Sequence, residues 1–183
     1  MTKRLMFGIT AVALSLAVAA PAHAQAHFGI SAGASLPTGD FGDAADAGYN
    51  VNALIGVSMP MSPIGFRGEV GWNQFDVKGG GNDTWRFLNG TANVVLTPSS
   101  FMPAKPYLIA GIGAYNVKLS GSNVTAVLGG DQSETRVGFN GGVGFKASVG
   151  ELGAFLEARY VSVSGKNGSS ALSYVPVTFG ITF

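Results

Sequence analysis

Ile64-Gly65-Phe66-Arg67-Gly68-Glu69-Val70-Gly71-Trp72-Asn73 is the stretch that decides the fold. At the two-residue period of a β-strand, Ile64, Phe66, Val70 and Trp72 share one face, and Arg67, Glu69, Gly71 and Asn73 share the other. One face is therefore greasy, and the opposite face carries charge of both signs. Such a strand has to be covered by apolar matter on one side only, and its charged side has to find partners or water.

Seven further stretches read the same way with varying clarity. Phe28, Ile30, Ala32, Ala34 and Leu36 oppose Gly29, Ser31, Gly33 and Ser35; in Tyr49 to Ser58, Val51, Ala53, Ile55 and Val57 oppose Asn50, Asn52, Leu54 and Gly56. Arg86 to Thr97 sets Leu88, Ala92, Val94 and Leu96 against Asn89, Thr91 and Asn93. Tyr107 to Leu119 sets Leu108, Ala110, Ile112 and Ala114 against Gly111 and Gly113, but Tyr107, Ile109 and Tyr115 leave its facing open. Arg136 to Val149 and Ala154 to Val163 place Arg136, Lys146, Glu157 and Arg159 opposite apolar residues, and Tyr174 to Phe183 alternates to its last residue.

The connections alternate as well. Met59 to Pro63, Pro98 to Lys105 and Gly150 to Gly153 are short, whereas Pro37 to Gly48, Asp76 to Trp85, Ser120 to Thr135 and Ser164 to Ser173 are longer. Eight strands of about 10 residues each suit a bilayer crossed at about 45°. Backbone groups in hydrocarbon must all be paired, so the sheet has to close on itself. The expected fold is all-β, an eight-stranded antiparallel up-and-down transmembrane β-barrel.

Composition agrees. Only 11% of the 183 residues are charged, against ~25% in average soluble domains, and 28 are Gly, about twice the usual share. Beyond the N-terminus no apolar run is long enough for a membrane helix, since Gly, Ser, Thr and Asn interrupt it. A net charge of +1 without a basic block makes nucleic acid a poor partner. With no cysteine, no disulfide holds the fold. Lys3 and Arg4, the apolar Leu5 to Ala20 and the small-residue box Ala22-His23-Ala24 read as a Sec signal peptide over residues 1–24, removed on export, with the barrel domain over 25–183.

Inside an eight-stranded barrel there is room for side chains and little else. Arg67, Glu69, Arg136, Lys146, Glu157 and Arg159 are expected to form an ion-pair network in the lumen, since each basic one would cost about 2–4 kcal/mol on the lipid face near the midplane. Gly71, Gly142, Gly144 and Gly180 would leave space for them. Trp72, Tyr107 and Tyr160 are expected at the membrane interfaces as aromatic girdles. A soluble lipocalin-like barrel would reverse the faces and turn Arg67, Glu69, Glu157 and Arg159 to solvent.

Val175-Pro-Val-Thr-Phe-Gly-Ile-Thr-Phe183, with Phe179, Ile181 and Phe183 at alternate positions, resembles the C-terminal strand that marks bacterial outer-membrane barrels for their assembly machinery. Together with Lys105-Pro-Tyr-Leu-Ile-Ala-Gly-Ile-Gly113, Leu156-Glu-Ala-Arg-Tyr160 and Leu36-Pro-Thr-Gly-Asp-Phe41, it resembles the small eight-stranded outer-membrane β-barrel family of the OmpX, OmpA-transmembrane-domain and opacity-protein type. With no peptidoglycan-binding domain after Phe183, the barrel-only members are the expected comparison. The resemblance implies an outer-membrane location. Its implied partners are outer-membrane lipid and lipopolysaccharide, periplasmic chaperones, the barrel assembly machinery and an extracellular ligand taken by the loops.

Signals of chemistry are weak. Asp40-Phe41-Gly42 lacks every other element of a kinase, and Gly111-Ile-Gly113 and Gly141-Gly-Val-Gly144 lack the helix and acidic partner of a dinucleotide site. Asp40, Asp43 and Asp46 are spaced by three, unlike the alternate ligands of a Ca²⁺ loop. Asn82-Asp-Thr84, Asn123-Val-Thr125 and Asn167-Gly-Ser169 fit a glycosylation pattern but read as ordinary loop residues in a bacterial barrel. Of the two histidines, His23 falls in the signal peptide and His27 at the barrel's edge, a poor basis for a Ser-His hydrolase. No enzyme activity, cofactor or metal is expected. The role expected is structural or surface interaction, with an OmpW-like conduit for small hydrophobic molecules as the alternative; that alternative needs an apolar opening near Val124, Val127 and Leu128.

Overall fold

The computed structural model describes residues 25–59, 62–79, 83–98, 104–121, 132–150, 152–165 and 170–183. Residues 1–24 (the expected signal peptide), the Val124–Leu128 stretch and the first residue of each Asn-x-Ser/Thr triplet lie outside them. The strands are β1 (Gln25–Thr38), β2 (Gly48–Ser58), β3 (Ile64–Asp76), β4 (Thr84–Leu96), β5 (Lys105–Ser120), β6 (Gln132–Val149), β7 (Leu152–Val163) and β8 (Leu172–Thr182). Each pairs antiparallel with the next, and β1 pairs with β8 to close the ring. At the seam, Phe28 and Phe183 exchange backbone hydrogen bonds of 2.9 Å in both directions. Closure leaves no sheet edge unpaired, as hydrocarbon requires.

The faces are those of a membrane barrel and the reverse of a lipocalin. Ile112 and Val137 are each 66% exposed on the outer wall, whereas Glu157 is 2% exposed inside. Phe28, Phe66, Phe145 and Phe183 lie outside in the turn-proximal parts of the wall, and Tyr49, Trp72 and Tyr160 lie outside towards the long loops. Strands of 11 to 18 residues meet or exceed the roughly 9–11 that cross hydrocarbon. The longest, β5 and β6, therefore project beyond it.

One short helix, α1 (Asp40–Ala44), interrupts the first long loop. Gly39, at φ 58°, makes the left-handed turn that leads into it from β1, a conformation Gly adopts without a Cβ penalty. A bridge between Ala45 and Val77, with Asp46 N–H donating to Asp76 O at 2.8 Å, ties the segment to the end of β3. The Lys78 ammonium adds a bond of 2.6 Å to Gly42 O. The helix thus lies across the loop end of the barrel and drives Phe41 inwards.

Candidate functional site in the barrel lumen

The lumen is built in layers. At its centre Arg67 and Glu69 on β3 face Glu157 and Arg159 on β7, reaching across the barrel because each pair sits two residues apart on one strand face. Arg159 grips Glu69 with both terminal nitrogens, at 2.7 and 2.5 Å, and its Nε bonds to Glu157. Arg67 bonds to Glu157, and its Nε stands 2.9 Å from Glu69. Two positive and two negative charges are thereby matched, which is what makes their burial tolerable. Their neighbours explain the glycines: a Cβ on Gly142 would meet the Arg159 backbone and Cγ, and one on Gly144 would run into the Tyr107 phenol.

Of the six residues expected in one network, four meet. Arg136 does not join them: its guanidinium takes Glu134, at 3.0 Å, in the projecting part of β6. Opposite Arg159 on β6 is Gly142, six residues further down the strand and about 20 Å away, beyond the reach of any side chain. Lys146 also stands apart. It lies one inward position below Gly144, with Nζ 5.9 Å from the Tyr107 ring centre, and the oxygens of Glu157 are already taken by Arg67, Arg159 and the Tyr107 hydroxyl.

Tyr107 corrects a second expectation. It is not an interfacial aromatic; its ring is buried in the lumen and its hydroxyl donates to Glu157 at 2.7 Å. The register accounts for this, because Tyr107, Ile109, Tyr115 and Val117 share the inward face of β5 with Gly111 and Gly113. Trp72 and Tyr160 do face outwards, at 42% and 48% exposure. Phe179, Ile181 and Phe183 also lie on the outer face.

Two further layers go beyond what the strand pattern predicts. Asparagines and serines form a hydrogen-bonded belt: Ser35 donates to Asn73, Asn73 to Asn89, Asn50 to Ser35, Asn52 to Ser31 and Asn140 to Asn93, at 2.9 to 3.2 Å. Its signal in the sequence is asparagine at inward positions of several strands. Above the belt lies an aromatic plug. Phe41 stacks on Phe87 at 5.5 Å and meets Phe75 and Trp85 edge-on at 5.1 and 5.8 Å, while Tyr174 abuts both Phe75 and Phe87. A void of about 30 Å³ between belt and ion cluster has room for only a water or two.

Asp40, Asp43 and Asp46 are exposed, and among the described residues no group of His, Cys, Asp and Glu side chains comes together to hold a metal ion. His27 lies against Gly56 at the turn end of the barrel.

A closed ring of eight strands, apolar outside and charge-paired inside, is a transmembrane β-barrel. The chain belongs to the outer membrane protein beta-barrel domain family, whose model matches residues 9–182, and its place is the bacterial outer membrane. Similar solved structures include Neisserial surface protein A, at 14% identity over 87% of this chain and 97% of that one, with a TM-score of 0.69. A major outer membrane protein from Thermus thermophilus matches at 13% identity over 86% and 98%, with a TM-score of 0.57. The N-terminal β-barrel domain of Pseudomonas aeruginosa OprF matches at 12% identity over 87% and 99%, with a TM-score of 0.52. No curated protein matches the chain in sequence.

Proposed function

We propose that the protein is a sealed, non-enzymatic barrel that supports the outer membrane and presents its four long loops for adhesion or recognition. The observation that carries this reading is the plug across the lumen, with Phe41 folded over the loop end and matched charges below it. Acidic and basic side chains that hold one another in this way are committed to structure. Planar-bilayer recording of the refolded protein is expected to show no stable conductance. A steady nanosiemens pore, or flux of a small hydrophobic solute in liposomes, would replace this reading with the OmpW-like conduit.

The same proposal gives the last strand a role in biogenesis. Phe179, Ile181 and Phe183 form the signal read by the barrel assembly machinery after chaperones deliver the chain, and Phe183 also supplies the seam bonds to Phe28. Deleting Phe183 is expected to lower the outer-membrane level of the protein several-fold. Unchanged amounts of heat-modifiable protein in that fraction would remove the assembly role.

A further inference from the structure

Among the described residues, the turn end of the lumen is open where the loop end is filled. It holds a cavity of about 400 Å³, within the ~300–1,000 Å³ usual for small-molecule sites. Its deep wall is apolar, formed by Leu54, Val95, Tyr107 and Phe155 beneath the ion cluster. Its rim carries Lys105, Lys146 and His27, with the hydroxyl-bearing Ser58, Ser148 and Thr182.

The two lysines set the character of this vestibule. They stand directly opposite each other in the β5–β6 register, so both side chains leave the same face about 5 Å apart at Cβ. Like charges so placed repel. No ion pair among the described residues reaches either of them, and the carboxylates of the ceiling, Glu69 and Glu157, are already matched by Arg67 and Arg159. The mouth is therefore cationic beneath a charge-neutral ceiling, and an apolar surface lies one strand position further in.

We propose that this vestibule binds a small amphiphilic anion, with a phosphate or carboxylate group between Lys105 and Lys146 and an apolar body against Leu54 and Phe155. The ligand enters from the side of the short turns. The site is thus independent of whatever the long loops contact. The anionic group has two sources, a phospholipid headgroup or a soluble metabolite, and they can be told apart.

The test is calorimetric titration of the barrel in phosphatidylcholine nanodiscs at low salt. Phenyl phosphate is expected to bind saturably, inorganic phosphate more weakly and benzyl alcohol not at all. Lys105→Gln with Lys146→Gln should weaken phenyl phosphate binding about tenfold or more, and added salt should weaken it in the wild type. Equal binding by wild type and double variant, or none by the wild type, overturns the proposal. The heat-induced shift on a gel reports that the variant is folded. If the double variant does not fold, the single Lys105→Gln, at the exposed start of β5, is expected to lose affinity several-fold, and unchanged affinity overturns the site. Repeating the wild-type titration with phosphatidylglycerol in the disc separates the sources: competition assigns the vestibule to a lipid headgroup, and undiminished binding to a soluble anion.

Discussion

The two ends of the lumen are closed by different means, one by hydrocarbon and the other by paired charge. At the loop end, Phe41, Phe75, Phe87 and Tyr174 pack ring against ring around a segment that is not part of the sheet. At the turn end nothing among the described residues folds in, and the ion cluster is the ceiling of an open cationic vestibule. The difference follows from the connections. In the first long loop, residues 39–47 include a helix that sends an aromatic side chain across the barrel end. Among the described residues the barrel is therefore asymmetric: an aromatic plug at the loop end and a recess at the turn end.

Breaking the charged ceiling should have the largest effect. Glu157→Gln keeps the side chain's shape and an acceptor for Tyr107, but leaves Arg67 and Arg159 with Glu69 alone. An unmatched buried charge costs about 3–5 kcal/mol when one partner of a buried pair is removed. Here it would also face Lys146 and Lys105 across the vestibule. Urea unfolding of the vesicle-embedded barrel, followed by tryptophan fluorescence, should show that loss. A change below about 1 kcal/mol would mean that water enters the cluster freely and that the vestibule has no dry ceiling.

How far this asymmetry is legible in the sequence depends on the element. The eight strands and the inward facing of Arg67, Glu69, Glu157 and Arg159 are readable, because a wall between lipid and a polar lumen imposes a strict two-residue contrast. The connections alternate less cleanly, since the β4–β5 connection, residues 97–104, is longer than the β3–β4 one, residues 77–83. That contrast fails in β5, where Tyr107, Ile109, Tyr115 and Val117 pack the lumen while Leu108 and Ile112 face outwards. With both faces apolar, period alone does not place Tyr107, and an interfacial position is as compatible with it as the buried one the register imposes. For Arg136 and Lys146 the pattern yields the inward face but not membership of the central cluster, since facing says nothing about height along the barrel axis. The plug leaves the weakest trace. Phe41 is a single aromatic in an acidic loop, and no periodicity accompanies a side chain that enters the lumen from outside the sheet.

Phe41→Ala tests that plug and should have the smaller effect of the two. Truncating a buried Phe typically costs ~3–5 kcal/mol through lost contacts and the cavity left behind. The low end, about 3 kcal/mol, is expected here because α1 is held by one bridge and a few hydrogen bonds, and it can settle part of the way into the gap. The same urea titration measures the loss, and a midpoint and slope equal to those of the wild type would show that the rings below hold the loop end together without Phe41. Conductance should stay absent in this variant even though it is destabilised. The asparagine belt and the ion cluster lie beneath the plug and are untouched by the substitution. Seal and stability would then separate at the loop end, whereas at the turn end the same four charges supply both the ceiling and its cohesion.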